Sequence, residues 1–379
     1  MRVCFLTTCY PRWDGDASGD FIRELVWALA ENHGVEVRVV APADADVYSS
    51  EQKEGVRVER FRYFWPRGLQ KLAYGDGIPW NLKRSFAAWV NLPFFMVAVT
   101  WRMLRAAGKA DIIHANWGIL GAVAAGLRFV HRRDVVVMIH GTDLSSSNKL
   151  IVGVTKWAIR HADAVITNSR QNYQLSCKIR GQKGRTYYIN NGVRIPSQDQ
   201  IDALRAERRG EGGVINFLSM ARLIDERRYD VLLRAFAKVR QVREDVFLTI
   251  LGEGPALGGL KELSEQLGIS GSVRFVGRVA HGEINDYLAS GDVYVSATTV
   301  ETHGSSVAEA AAFGLAIVVT RVGFPAELVV DGETGFVVEP NDQEALAEAM
   351  RKIAEDGEFR NKAGDAMRER LFDLGISWQ

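Results

Sequence analysis

The sequence predicts an α/β protein made of two doubly wound domains, each with a parallel sheet between two layers of helices. Short apolar runs rich in Val and Ile alternate with longer segments of helical period along the chain. This alternation pauses after residue 195 and resumes at residue 214. With 379 residues, 47% of them hydrophobic and 25% charged, the chain is long enough and apolar enough to bury two cores.

The first domain is predicted to span 1–195. Its strands are expected at uniformly apolar runs of four to eight residues, namely 3–7, 35–41, 111–114, 135–140 and 164–168. The period of the sequence predicts helices over 20–30 and 148–160. Because strands that are apolar at every position are buried on both faces, helices should cover both sides of this sheet.

A linker is predicted at 196–213, which is polar, charged and glycine-containing, and the second domain at 214–379. The strands of the second domain are expected at 214–220, 246–251, 273–276, 293–296 and 316–320. Its helices are expected at 229–239, 258–267, 282–289, 306–313 and 343–354. Ligands of open parallel sheets bind outside the carboxyl ends of the strands, so we expect a site where the two domains face a central cleft.

Charge and cysteine content exclude several classes of protein. The chain has 47 basic and 46 acidic residues, so its bulk charge does not favour nucleic acid as a partner. Its three cysteines have neither the number nor the spacing of a disulfide framework or a zinc site. The first residues lead directly into a strand, which predicts no signal peptide and a cytoplasmic location.

The stretch 60–110 departs from this even charge, since it holds nine basic residues and a single acid, Asp76. Inside it, 85–101 carries no charge and is rich in aromatic residues. A membrane-spanning helix needs about 20 apolar residues, and Asn91 and Pro93 interrupt this run. Two interpretations stay open: a buried helix with basic ends, or a peripheral segment on an anionic membrane, facing the cytoplasm.

Two carboxylates, Glu301 and Glu309, are separated by seven residues. In one interpretation Ser306 and Glu309 form a capping box, and Glu301 is merely exposed. In the other, the start of a helix faces a phosphate, Gly304 allows close approach, and Glu309 binds a ribose diol.

Other strand ends of the second domain carry related chemistry. Arg222 and Arg227 follow its first strand and can hold a diphosphate, although ordinary surface ion pairs use the same residues. Gly252 and Gly254 follow the next strand, and Gly277 the third. These glycines either permit close approach of a ligand or form plain turns.

The ordered set of motifs resembles the retaining glycosyltransferases of family 4, which have the GT-B fold. The resemblance covers nearly the whole chain, and its specificity comes from the order of the motifs. They are Tyr10-Pro11, Gly15, Gly19, Asn191-Gly192-Val193, Arg222, Arg227, Gly252-Glu253-Gly254-Pro255, Phe275-Val276-Gly277, the E-x7-E pair of Glu301 and Glu309, Gly323-Phe324-Pro325 and Asp331-Gly332.

The resemblance implies roles in the second domain. Arg222 and Arg227 would hold the donor diphosphate, with Arg227 standing where lysine is usual. Glu309 would bind the ribose, and Glu301 would act beside the donor sugar at the catalytic centre. The remaining donor-binding positions would be Gly19, Gly254, Gly277, Gly304, Ser305 and Ser306. Thr302-His303-Gly304 replaces the commoner Gly-Phe-Gly beside that sugar.

In the first domain the resemblance assigns His140 to the catalytic centre beside the reacting sugar. His114 and Asp143 are candidates on the acceptor side, with a structural role for His114 equally open. No D-x-D signature, which would hold a divalent ion on a diphosphate, stands at the end of a predicted strand. The same letters occur in Asp44-Ala45-Asp46, but these residues belong to a polar loop. We therefore expect no metal and no cofactor. The last helices of the family are expected to be shortened or absent.

The function expected from this resemblance is retaining transfer of a hexose from a nucleoside diphosphate sugar to an acceptor hydroxyl. The acceptor would be a glycan, a lipid-linked glycan or a small molecule, as in cell-surface polysaccharide or glycolipid synthesis. The alternatives are a sugar-nucleotide epimerase of the same fold and a non-catalytic sugar-nucleotide-binding protein. A nicotinamide dehydrogenase is disfavoured, because Thr7-Thr8-Cys9-Tyr10 after the first strand is not G-x-G-x-x-G.

Overall fold

A computed structural model describes residues 1–13, 15–16, 18–44, 47, 51–53, 55–75, 77–145, 148–181, 184–208, 213–301 and 303–378. The chain forms two compact units, Met1–Asn191 and Gly192–Gln379. Each unit is an α/β domain with its own sheet, as the sequence predicts.

The described strands of the first unit form an eight-stranded sheet in the order β3-β4-β2-β1-β5-β6-β7-β8. Their bounds are β1 Arg2–Leu6, β2 Glu36–Pro42, β3 Glu51–Lys53, β4 Val56–Phe61, β5 Ile112–Asn116, β6 Asp134–Ile139, β7 Ala164–Thr167 and β8 Arg185–Tyr188. Neighbouring strands are parallel except β3, which pairs antiparallel with β4 at the edge of the sheet. The sequence analysis missed β3, β4 and β8, because edge and near-edge strands carry charged residues that break the apolar run.

Helices cover both faces of this sheet. They are α1 Asp20–His33, α2 Ile78–Arg84, α3 Phe86–Ala107, α4 Gly118–Gly126, α5 Arg128–His131, α6 Gly141–Ser145, α7 Lys149–His161 and α8 Arg170–Arg180. The longest, α3, is the one described helix that could cross a membrane by its length and composition alone. Of its most apolar segment, 28% is buried inside the protein. Its buried residues, including Phe95, Val99 and Met103, pack in the same core as Leu6 and Ile113 of the sheet.

The second unit has a six-stranded sheet in the order β11-β10-β9-β12-β13-β14, and all neighbouring strands are parallel. The strands are β9 Ile215–Met220, β10 Val246–Leu251, β11 Val273–Gly277, β12 Val293–Ser296, β13 Ala316–Thr320 and β14 Gly335–Val338. The helices are α9 Gln198–Arg208, α10 Tyr229–Val242, α11 Leu257–Gln266, α12 His281–Ser290, α13 Ser305–Ala312, α14 Pro325–Leu328, α15 Gln343–Glu355 and α16 Gly357–Asp373.

The segment predicted as a linker contains α9, which spans Gln198–Arg208. Ile195 and Ile201 are buried in a core of the second unit, and the first unit ends at Asn191. Helix α9 is largely polar, with a single strongly buried apolar position in its centre, so its period is hard to see in the sequence. Residues 209–212 of the predicted linker lie outside the described residues.

The strand orders locate the place where each sheet changes direction. In the first unit, β1 lies between β2 and β5, and in the second, β9 lies between β10 and β12. The chain leaves β1 toward β2 but leaves β5 toward β6, and it leaves β9 toward β10 but leaves β12 toward β13. These opposite directions open a crevice at the carboxyl ends of β1 and β5, and of β9 and β12. The two crevices are therefore where binding residues of each unit are expected.

Candidate active site

In the second unit, the loop that carries Arg222 is held against the loop after β10. The backbone N–H of Leu223 donates to the carbonyl oxygen of Glu253 at 3.0 Å, and the N–H of Ala256 donates to that of Leu223 at 3.1 Å. A Cβ atom on Gly254 would overlap the carbonyl oxygen of Leu223. Gly254 thus allows two backbones to approach, and its place in the site is to support the Arg222 loop.

Arg227 and Glu301 form an ion pair across the crevice between β9 and β12. The Arg227 guanidinium also lies 3.4 Å from both Thr298 Oγ1 and the Val300 carbonyl oxygen. The hydroxyl of Thr298 donates to the Glu226 carbonyl at 3.1 Å, which ties the two loops together. Both charges are partly buried, so the pair is fixed in position while one side remains open to a ligand.

The start of α13 excludes the capping-box interpretation. Gly304 is the N-cap residue, its φ is 66°, and no side chain caps the helix. Glu309 therefore stands in the second turn and not at the third position that a capping box requires. A Cβ atom at Gly304 would overlap the ring of Pro325, so both the left-handed backbone and the packing demand glycine here.

Tyr294 of β12 connects the two loops of this crevice. Its hydroxyl lies 2.8 Å from Ser306 Oγ in α13 and 3.0 Å from the carbonyl oxygen of Met220, two residues before Arg222. The side chain is fully buried, and burial raises the pKa of its hydroxyl. Ser305, at the first position of α13, is exposed. The sequence analysis missed Tyr294, since a tyrosine in an apolar run looks like any core residue.

His303 is buried below the E-x7-E loop. Its ring stacks on Phe324 with the centroids 5.5 Å apart and the planes at 9°. Burial lowers the pKa of His303 to about 4, and the nearby Glu301 carboxylate opposes part of that shift. His303 is therefore neutral at neutral pH and fills the position as an aromatic ring, while Thr302 lies outside the described residues.

Gly277 ends β11 with a φ of 85°, and no described atom lies within 4 Å of the place where its Cβ would be. Its carbonyl oxygen accepts from the backbone N–H of Gly252 at 2.8 Å. The space beside Gly277 is open, as a donor-binding position requires.

In the first unit, His140 follows β6 and is buried among aromatic rings. Its centroid lies 5.2 Å from that of Phe21 and 5.0 Å from that of Trp117. The Asn116 amide nitrogen donates to the Leu6 carbonyl at 3.2 Å, which turns its oxygen toward His140 Nε2, also at 3.2 Å. In the neutral ring the proton therefore lies on Nε2, and Nδ1 is the nitrogen that accepts.

Asp143 supports His140 from below. One carboxylate oxygen accepts from the backbone N–H of His140 at 2.8 Å, and the other accepts from that of Gly118 at 3.0 Å. Burial raises the pKa of Asp143 to about 6, partly offset by these two donors. With these two hydrogen bonds Asp143 links the loops after β5 and β6, and its contact with the acceptor stays a prediction.

Two further candidates in the first unit have structural surroundings. His114 is buried in β5 and stacks on Phe5 with a centroid distance of 4.3 Å, and burial lowers its pKa to about 4. The structural alternative for His114 thus fits better than a direct contact with the acceptor. Gly19 is the N-cap of α1 with a φ of 79°, and a Cβ there would lie 2.7 Å from the Cys9 carbonyl oxygen.

The polar loop with the letters of a D-x-D motif is partly described. Asp44 pairs with Arg12, which also pairs with the buried Asp16, so it serves to fix the loop after β1. Ala45 and Asp46 lie outside the described residues. Among the residues that the structure describes, no three His, Cys, Asp or Glu side chains are grouped as metal ligands.

These groups define a class of chemistry. Arg222, Arg227, Glu301 and Glu309 stand at the end of β9 and after β12, on the two sides of the crevice of the second unit. Guanidinium groups bind diphosphates, and carboxylates accept hydrogen bonds from sugar hydroxyls. Groups of these kinds at one crevice can bind a ligand that carries both a diphosphate and hydroxyl groups.

Two family models match the chain and together cover most of it. "Glycosyl transferase 4-like domain" matches residues 17–192, and "Glycosyl transferases group 1" matches residues 200–370. The chain belongs to this family of glycosyltransferases, with a family 4-like first domain, and it has the GT-B fold.

Known relatives and solved structures agree with this assignment. The chain is 27% identical to glycogen synthase of Mycobacterium tuberculosis, with 100% of this chain and 92% of the relative covered. It is 28% identical to the GDP-mannose-dependent alpha-(1-6)-phosphatidylinositol monomannoside mannosyltransferase of Mycolicibacterium smegmatis, over 74% of this chain and 76% of the relative. The fold is similar to sucrose-phosphate synthase from Thermosynechococcus elongatus, with a TM-score of 0.80, 22% identity and coverage of 100% and 95%. Anabaena HepE in complex with UDP-glucose has a TM-score of 0.73, 20% identity and coverage of 100% and 96%.

Proposed function

We propose that the protein transfers a hexose from a nucleoside diphosphate sugar to an acceptor hydroxyl and retains the configuration of the anomeric carbon. The observation that carries this proposal is the Arg227–Glu301 pair, with Arg222 and Glu309 on the same crevice of the second unit. The arginines would stabilise the diphosphate as it leaves, Glu301 would orient the sugar, and Glu309 would hold the ribose.

The step balances without another reactant. The bond between the anomeric carbon and the diphosphate oxygen breaks, and the acceptor oxygen forms its bond on the same face. The proton of the acceptor hydroxyl moves to the departing phosphate oxygen, which gives the nucleoside diphosphate. In this scheme His140 would lie beside the donor sugar, held in place by the contact of its Nε2 with the Asn116 amide oxygen.

We propose that no metal ion takes part. Two arginines supply the positive charge that a divalent ion would otherwise bring to the diphosphate. The protein should therefore keep its activity after exhaustive dialysis against EDTA. Loss of activity that magnesium or manganese restores would contradict this part of the proposal.

The acceptor proposed here is a lipid-linked glycan at an anionic membrane, which the enzyme reaches through the basic stretch 60–110. One relative acts on a phosphatidylinositol monomannoside, and another, from Rhizobium meliloti, is a lipopolysaccharide core biosynthesis glycosyltransferase with 30% identity over 56% of this chain. The protein would then work as a peripheral protein on the cytoplasmic face of the membrane.

The donor site is tested by thermal shift with a panel of UDP-, GDP- and ADP-sugars. We expect one nucleotide series to raise the melting temperature of the wild type and to have little effect on Arg222→Gln. Arg274→Gln is the matched control, since Arg274 is an exposed arginine on β11. A panel in which no sugar nucleotide shifts the wild type would refute the proposal.

A further inference from the structure

Helix α3 has two opposite apolar sides. One side is buried at positions three or four residues apart, such as Phe95, Val99 and Met103, and lies in the core. The other side is exposed and almost as apolar, with Phe86 83% and Val97 72% exposed. Its exposed members are Phe86, Trp89, Val90, Phe94, Val97 and Trp101. A globular helix ordinarily has a polar outer side, so this outer side requires a partner.

A second segment extends the exposed side of α3. Residues 62–69 lie between β4 and α2, and the ring of Phe64 contacts that of Phe94 with a centroid distance of 5.2 Å. In the same segment Trp65 is 84% exposed, and Leu69 is also exposed. The structure thus brings a tryptophan and a leucine from another part of the chain beside α3.

A third segment lies outside the basic stretch that the sequence singles out. Helix α5 packs against α3, and Leu127 before it is partly buried in the same core. Phe129 of α5 is 77% exposed, and Val130 is exposed beside it. Arg132, which ends this short helix, is exposed as well. The pair Phe129–Val130 therefore adds to the apolar surface at the border of α3.

Among the described residues, the charges directly before and after α3, up to Lys109, are all basic. Lys83 and Arg84 precede α3, and Arg105 and Lys109 stand at its other end, all with exposed side chains. Aromatic and aliphatic side chains ringed by lysine and arginine are the composition of a surface that meets anionic headgroups. A bilayer of anionic lipid supplies an apolar layer for the exposed side chains and an anionic rim for the basic residues.

We infer that the first unit docks on an anionic lipid bilayer through a docking face made of 62–69, the exposed side of α3 and α5. This inference rests on the proposed transfer to a lipid-linked acceptor and specifies how the membrane is reached. Helix α3 lies in the plane of the interface and does not span the bilayer, because its buried side is part of the core. Trp65, Trp89 and Trp101 insert at the level of the headgroups.

Cosedimentation with phosphatidylcholine vesicles, with and without phosphatidylglycerol, tests the docking face. Wild type should bind the anionic vesicles and lose binding at high salt. The double variant Lys83→Gln/Arg84→Gln should bind about thirtyfold more weakly, since each base near the surface contributes about 1 kcal/mol. Phe86→Gln/Val97→Gln on α3 and Phe129→Gln/Val130→Gln on α5 should each weaken binding at least about tenfold.

Matched controls change the same residue types on the second unit. The variant Val242→Gln/Phe372→Gln removes two exposed apolar side chains from the second unit. The variant Lys261→Gln/Lys362→Gln removes two exposed charges from it. Neither variant should change vesicle binding. Full binding by the α5 variant would overturn the inferred face even if α3 matters. Absence of wild-type binding at low salt, or a dimer that the α3 variant dissociates, would overturn it as well. The donor-induced thermal shift, measured on every variant, reports separately on the proposed function.

Discussion

At the scale of single residues, the structure removes one of the two interpretations of Glu309. The N-cap of α13 is Gly304, so Ser306 and Glu309 do not form a capping box, and the role of Glu309 in donor binding stays a prediction. The sequence could show that seven residues separate the two carboxylates, but it could not show where the helix begins. That start depends on the left-handed backbone of Gly304 and its contact with Pro325, which involves a residue 21 positions away.

Glu309→Gln should weaken binding of the donor nucleotide roughly ten- to a hundredfold. A hydrogen bond to a charged group contributes about 1.5–3 kcal/mol, and Gln retains the size but not the charge. The melting temperature should change little, because no helix cap is lost. Calorimetric titration measures the affinity, with Glu344→Gln on α15 as a control. Unchanged affinity with a large loss of stability would support a structural role instead.

His303→Phe should make the protein less sensitive to acid. The folded pKa of His303, about 4, lies below its unfolded value of about 6.5, so the unfolded state binds more protons between these values. Stability from the neutral ring is complete above pH 6.5 and is lost as the pH falls toward 4, by about 3 kcal/mol in all. Phe stacks on Phe324 without titrating. Scanning calorimetry from pH 7 to pH 4 should show a smaller decrease for the variant, and parallel curves would contradict the assignment.

At the scale of elements, the buried strands could be predicted from apolar runs, and β10, β12 and β13 begin and end where the sequence places them. The strands β4, β8 and β14 were missed, because they stand at or near sheet edges and mix polar, aromatic or glycine residues. Helix α9 was missed because little of it is buried. Gly254 was predicted as a donor-binding position, with a plain turn as the alternative, and the structure shows that it lies against the backbone of the Arg222 loop.

Gly254→Ala should lower both donor affinity, by at least about tenfold, and stability, by about 1–3 kcal/mol. The added methyl group overlaps the Leu223 carbonyl oxygen, so the Arg222 loop has to move. Gly258→Ala is the matched control: no described atom lies within 4 Å of its Cβ position on α11, and Ala favours the helix. Thermal melts and nucleotide titration measure both effects. A Gly254→Ala protein with normal affinity would show that this loop contact does not position Arg222.

At the scale of the whole molecule, the alternation of strands and helices predicted two α/β units. Each unit has two neighbouring central strands from which the chain continues toward opposite edges of the sheet. The order of the strands in each sheet could not be predicted, because it depends on packing between segments that are far apart in the sequence. That order places β9 beside β12, and so brings Arg227 to Glu301. The surroundings of the acceptor-side candidates His114 and Asp143 were the hardest to predict from the sequence, because their burial and hydrogen bonds depend on the assembled core.

The most direct test of sugar transfer is the fate of the nucleotide and of the anomeric carbon in one reaction. The preferred sugar nucleotide is incubated with and without a lipid-linked acceptor, and released nucleoside diphosphate and the product are followed by chromatography and proton NMR. We expect nucleoside diphosphate only with acceptor, one per glycoside formed, with retained anomeric configuration and a strongly reduced kcat in Glu301→Gln. Epimerised sugar nucleotide without release of diphosphate, or a product of inverted configuration, would contradict the account.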